Sequence, residues 1–192
     1  MPDRRGECNF VASRYLKHKT QAFGDNLSFA GWSSLVCFDT EEHQIPDGLV
    51  QLAAFPQLAS QWKIVHDFKP TKFLGLGWSL WVHLEGTSFR FLALRFLDVI
   101  PKMALVNEDS TPLVKGRDQL PPVGEWTRIE IGHEAGENGM YFLFVTVGGQ
   151  MLGRVQVPSP RNGRGFPNVR IGIGHGKSQP GLIRRLVVLE RH

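Results

Sequence analysis

The chain has 192 residues, of which 42% are apolar, 21% charged and 10% aromatic, with 21 Gly and 12 Pro. It is too apolar for disorder and too broken by Gly and Pro for a helical bundle, which leaves one globular domain of ordinary size. The formal net charge of +4 is mildly basic, Cys8 and Cys37 are too few for a disulfide scaffold or a four-cysteine zinc module, and no apolar run reaches the roughly 18 residues of a membrane helix. Residues 1–20 read as a polar arm, and 21–192 as a single domain. In chain order, 26–38, 49–55 and 62–68 are candidate strands, with one short helical turn expected over Pro56 to Gln61.

From residue 77 the period is two. Leu80, Val82 and Leu84 share one face of a strand, and Trp81, His83 and Glu85 the other. Gly86-Thr87-Ser88 reads as a turn, followed by a strand from Phe89 to Phe96 in which Arg90 and Arg95 fall in opposite phases, so a bulge or an end effect is expected there. Met103–Val106 and Pro112–Lys115 are expected to pair across Asn107 to Ser110. In the next strand Thr127, Ile129 and Ile131 point inward while Arg128 and Glu130 point outward. Glu137-Asn138-Gly139 is a turn signal, and the continuous apolar run Met140–Val147 predicts a strand covered on both faces. Gly148-Gly149 closes a hairpin onto Met151–Val157, and 168–173 and 182–189 complete the series. With no amphipathic helix of ten residues, the fold class is all-β, a two-sheet antiparallel β-sandwich.

The closing segment holds an ordered string of landmarks. Pro121-Pro122-Val123-Gly124-Glu125-Trp126 precedes an alternating strand, then comes Gly139 to Gly149, then Val169-Arg170-Ile171-Gly172-Ile173-Gly174, then Pro180-Gly181-Leu182-Ile183-Arg184-Arg185-Leu186-Val187-Val188. This string resembles the concanavalin A-like jelly roll in its laminin G-like and galectin-like versions. The resemblance implies a lectin-like sandwich. The galectin sugar triplet of His, Asn and Arg is missing: the matching stretch is Leu92-Ala93-Leu94-Arg95-Phe96. Galactoside binding is therefore not carried over. Laminin G-like domains often hold one calcium ion at the rim, and Asn107-Glu108-Asp109 and Asp39-Thr40-Glu41-Glu42 are the two acidic loop clusters that such an ion would use. Otherwise no cofactor or metal is expected.

Catalytic signals are sparse. Hydrolases of this fold carry alternating acids on one strand, and Glu130 and Glu134 approach that pattern, with Gly132 between them. The seven histidines show no metal spacing, and Cys37 sits in an apolar stretch where a thiol packs as a small hydrophobe. Trp78 and Trp81 fall on opposite faces of one strand.

Charge distribution is more telling. Residues 150–192 hold Arg154, Arg161, Arg164, Arg170, Lys177, Arg184, Arg185 and Arg191 against Glu190 alone, so this stretch carries +7 and residues 1–149 carry −3. Arginine suits bidentate recognition of sulfate, carboxylate or phosphate. The expected function is non-enzymatic recognition of a glycan, sulfated or acidic, or of an acidic protein surface, with nucleic acid and membrane insertion not expected. Arg161, Arg164, Arg170 and Arg184 are the first candidate ligand-binding residues, with Arg95 behind them. The alternatives are a glycoside hydrolase using Glu130 and Glu134, or a purely protein-binding domain. The start MPDRRGECNF lacks the apolar core of a signal peptide, so a cytoplasmic or leaderless-exported chain is expected. The sequon Asn26-Leu27-Ser28 and a Cys8–Cys37 bridge would instead fit an extracellular chain trimmed of its leader.

Overall fold

The computed structural model describes residues 32–37, 42–45, 50–73, 77–85, 91–97, 102–107, 111–115, 120–160, 165–174 and 180–191. Among them the chain runs β1 (Ser33–Cys37), β2 (His43–Gln44), β3 (Val50–Leu58), β4 (Gln61–Pro70), β5 (Gly77–His83), β6 (Phe91–Leu97), β7 (Lys102–Val106), β8 (Pro112–Lys115), β9 (Thr127–Ala135), β10 (Tyr141–Val147), β11 (Gln150–Val157), β12 (Phe166–Ile173) and β13 (Gly181–Arg191). All pairings are antiparallel. Sheet A has the order β1-β13-β4-β9-β10-β11, with β2 also on β13; sheet B has the order β3-β12-β5-β6-β7-β8.

Period-two patterning builds the core. Trp62, Ile64, His66 and Phe68 of β4 alternate with outward Lys63, Val65, Asp67 and Lys69, and Leu92, Leu94 and Phe96 of β6 alternate with outward Ala93 and Arg95. The buried inner faces of both sheets meet in one cluster that includes Trp62, Phe68, Phe96 and Phe166. Removing one such ring costs about 3–5 kcal/mol. The Gly148-Gly149 hairpin forms as expected: both residues have positive φ (57° and 81°), the type I′ geometry that matches strand twist.

Three expectations need comment. Pro56 to Gln61 forms no helical turn, because β3 continues through Pro56 to Leu58 and β4 starts at Gln61. β3 lies at a sheet edge, where an exposed proline forfeits no ladder bond. The intervening turn is held from elsewhere in the chain: Ala59 N–H donates to the Glu190 carboxylate at 3.0 Å, and His133 Nδ1–H donates to the Ser60 carbonyl. Between β5 and β6 the register shifts at Trp78 to Trp81, on β5, while β6 itself starts at Phe91; Arg90 and the turn 86–88 lie outside the described residues. The run 140–147 is covered on both sides near its centre. Leu143 and Val145 enter the core, while Phe144 is buried on the outer face over Gly132. The arm 1–20, the sequon and Cys8 also lie outside the described residues.

Candidate functional site

Sheet B carries small residues on its outer face. Ala54, Gly172, Ala93 and Ala104 all sit at outward positions of adjacent strands, with the Trp81 ring packed among them. Gly172 faces Trp81 in the β12–β5 ladder, and the indole lies where a Cβ on Gly172 would project. Trp81 Nε1–H donates to the Ile173 carbonyl at 3.3 Å, which satisfies the one polar atom of a nearly buried ring. Trp81, Ala93, Ala104 and Val106 form an apolar cluster separate from the sandwich core.

Beside this cluster lies a hollow of about 460 Å³ lined by Ala54, Phe55, Pro56, Glu85, Asn168, Val169 and Arg170. Ala54, Arg170 and His83 are register partners, so the arginine rises from the middle of a three-strand row. Asn168 adopts a left-handed conformation (φ 48°) at the rim. The hollow therefore offers a cation, an anion and an amide around an apolar floor, within the size range of small-ligand sites.

Sheet A has a different outer face. Arg184, Asp67 and Arg128 are register partners across β13, β4 and β9. Asp67 Oδ1 accepts from Arg128 Nε at 3.3 Å, and Oδ2 faces Arg184 Nε at 3.6 Å and Arg185 Nη1 at 3.5 Å. A bulge in β13 after Arg184 leaves Arg185 with φ 51° and turns two consecutive arginines outward. Arg184 also lies 4.0 Å above the Trp126 ring and 3.9 Å from Glu42, and Lys69 Nζ stands 5.7 Å from the Trp126 ring centre.

The sequence candidates are thus divided. Arg170 and Arg95 share the outer face of sheet B, near opposite ends of β5, since Arg170 pairs with His83 and Arg95 with Trp78. Arg184 is on sheet A and faces the other way. Arg161 and Arg164 lie outside the described residues. Sequence reasoning passed over Arg128, Asp67, Arg185 and Trp126 as a group. Its one local signal was the doublet Arg184-Arg185, which breaks the alternation of a buried strand.

Glu130 and Glu134 both face outward on β9, but the Phe144 ring occupies the space above Gly132 between them. Glu134 is engaged by Arg154 at 3.2 Å, and Arg154 lies 3.8 Å over Phe142. The Phe144 ring thus lies between the two carboxylates, and one of them is already engaged in an ion pair. For calcium, Asp39, Thr40, Glu41, Glu108 and Asp109 lie outside the described residues. Asn107 Oδ1 accepts from Thr111 N–H at 2.9 Å, closing its own loop, and Glu42 faces Arg184. Among the described residues no cluster of three His, Cys, Asp or Glu side chains has metal-binding geometry.

Two histidines are buried in the sandwich. His66 is fully enclosed, and neither ring nitrogen has a partner among the described residues. Burial lowers its pKa to about 4 against an opposing pull from neighbouring Asp67. His133 stacks parallel to Tyr141 (5.0 Å) and Trp62 (6.3 Å). Burial lowers it to about 4 as well, opposed by its bond to the Ser60 carbonyl.

The two-sheet architecture is the concanavalin A-like jelly roll, a lectin-like β-sandwich. No protein-family model matches the chain, and no curated protein matches it in sequence. Among solved structures, it is similar to domain 4 of AbnA, a GH43 extracellular arabinanase from Geobacillus stearothermophilus, in complex with arabinotriose. That match has 16% identity and a TM-score of 0.51, over 76% of this chain and 69% of that one. It is also similar to the exoplasmic/lumenal domain of VIP36 in its Ca2+/Man3GlcNAc-bound form. Here the identity is 13% and the TM-score 0.50, over 83% of this chain and 84% of that one. No helix among the described residues is long and apolar enough to cross a membrane.

Proposed function

We propose that this chain is a carbohydrate-recognition module and that it holds a glycan in the hollow on the outer face of sheet B. The observation that carries the reading is the hollow itself, where Arg170 and Glu85 flank an apolar floor of Ala54 and Pro56. A sugar presents vicinal hydroxyls that both donate and accept, above a weakly apolar ring face. Arg170 supplies fork-shaped donors and Glu85 acceptors, and the small floor residues let the ring approach the sheet. The fold gives support, since one similar structure holds arabinotriose and another Man3GlcNAc. Arg161 and Arg164 immediately precede β12 in the chain and are the next side chains to test.

The reading is non-enzymatic: among the described residues lining the hollow Glu85 is the one carboxylate, whereas glycoside hydrolysis uses two. A glycan array identifies the ligand, and titration of Arg170→Ala against it tests the site. A hydrogen bond to a charged group contributes roughly 1.5–3 kcal/mol, so affinity should fall at least about tenfold with an unchanged melting temperature. Undiminished binding by Arg170→Ala, or an array without ligands, overturns the reading.

A further inference from the structure

We propose that the outer face of sheet A holds a second binding site, which takes the sulfate or carboxylate groups of an anionic oligosaccharide. Three arginines converge on one carboxylate there. Each guanidinium carries five N–H donors, while a carboxylate offers about four lone-pair sites, so Asp67 orients Arg128, Arg184 and Arg185 without saturating them. The side chain of Asp67 is 8% exposed, whereas those of Arg128 and Arg185 are 50% and 48% exposed. The anion is buried beneath its cations, and the outermost layer of the patch is positive. Among the described residues, even with Glu42 beside Arg184 and Glu130 outward two positions from Arg128 on β9, the four cations including Lys69 exceed these three carboxylates.

The arrangement is built into the backbone. Arg184 and Arg128 occupy a single row with β4 between them, so their strands stand about 10 Å apart at ordinary strand spacing. Arg185 joins them because β13 tolerates a left-handed φ at a non-glycine residue, and such outliers persist where the surroundings hold them. Arg184 Cζ lies 4.0 Å from the Trp126 ring centre, a cation–π contact that restrains the guanidinium instead of letting it sweep through solvent. Planar forks fixed at two or more points along a line suit a linear polymer that repeats oxyanions.

The site sits on the opposite sheet from the hollow and rests on the glycan reading only for the class of polymer. The probe is a size-defined heparin-derived oligosaccharide, titrated into wild type and into the double variant Arg128→Ala/Arg185→Ala. Its desulfated form and a poly-glutamate peptide of equal charge serve as comparisons. Arg184 is left in place because it bridges Asp67, Glu42 and Trp126. The expected result is salt-dependent binding of the sulfated probe, at least tenfold weaker with the double variant and with the desulfated probe, while Arg170→Ala leaves it unchanged. Failure of wild type to bind, equal binding by the double variant, or displacement by poly-glutamate at equal charge overturns the proposal. Loss of binding with Arg170→Ala alone would also overturn it, since that would move the site to sheet B.

Discussion

At the scale of single residues, the least expected feature is His66. An inward position on β4 normally takes an aliphatic side chain, yet this one carries an imidazole with no hydrogen-bond partner among the described residues. The ring tolerates burial only when neutral, so its folded pKa of about 4 lies below the ordinary 6.5. Below pH 6.5 the unfolded chain binds a proton that the folded chain refuses, and the loss grows until the folded ring also protonates near 4. Stability is therefore fully present above pH 6.5 and falls as pH drops toward 4. At pH 5 the loss is about 2 kcal/mol for each of His66 and His133, which behaves alike. Urea unfolding at pH 7.5 and 5.0 should show this difference, and His66→Leu should shrink it by about 2 kcal/mol. An unchanged difference in that variant would place the acid sensitivity elsewhere.

At the scale of elements, the strands are set by alternation, and their irregularities decide what the faces can do. Gly172 is the clearest case. Its missing Cβ leaves the space that Trp81 fills, next to the Val50 carbonyl of β3. Gly172→Ala should push the indole off its bond to the Ile173 carbonyl and destabilise the fold by about 1–3 kcal/mol. Tryptophan emission together with thermal melting reads both effects, and a variant that melts like wild type with unshifted emission would contradict this packing. The bulge in β13 works the other way, since it keeps Arg185 on the surface beside Arg184 instead of burying it.

At the scale of the molecule, a sandwich has two outer faces and one shared core, and the charged groups divide accordingly. The hollow with Arg170 is on sheet B and the arginine row is on sheet A, with the whole hydrophobic cluster between them. Sites separated by more than about 10 Å without shared partners act independently. Combining Arg170→Ala with Arg128→Ala/Arg185→Ala should then change melting free energy by the sum of the separate effects, within about 0.5 kcal/mol. A larger deviation in chemical denaturation would mean that the sheets communicate through the core.

Alternation alone is enough to read β5 and β9, because one face of each must be buried and the period follows. The Gly148-Gly149 hairpin was equally plain, since few other residue pairs accept two positive φ angles. The path over Pro56 to Gln61 was not, because its turn depends on Glu190 and His133 from distant strands. The excess of arginine in the last 43 residues is likewise a property of the sequence. Where those arginines point is not, because alternation assigns a face only relative to a sheet, and sheet membership is long-range. Tertiary structure put Arg170 and Arg184 on opposite faces, and it brought Arg128 from β9 and Asp67 from β4 to Arg184 and Arg185. Composition thus determined that this chain carries surplus cation on a β-sandwich. Strand order, set by burial of the two inner faces, decided which of those cations meet.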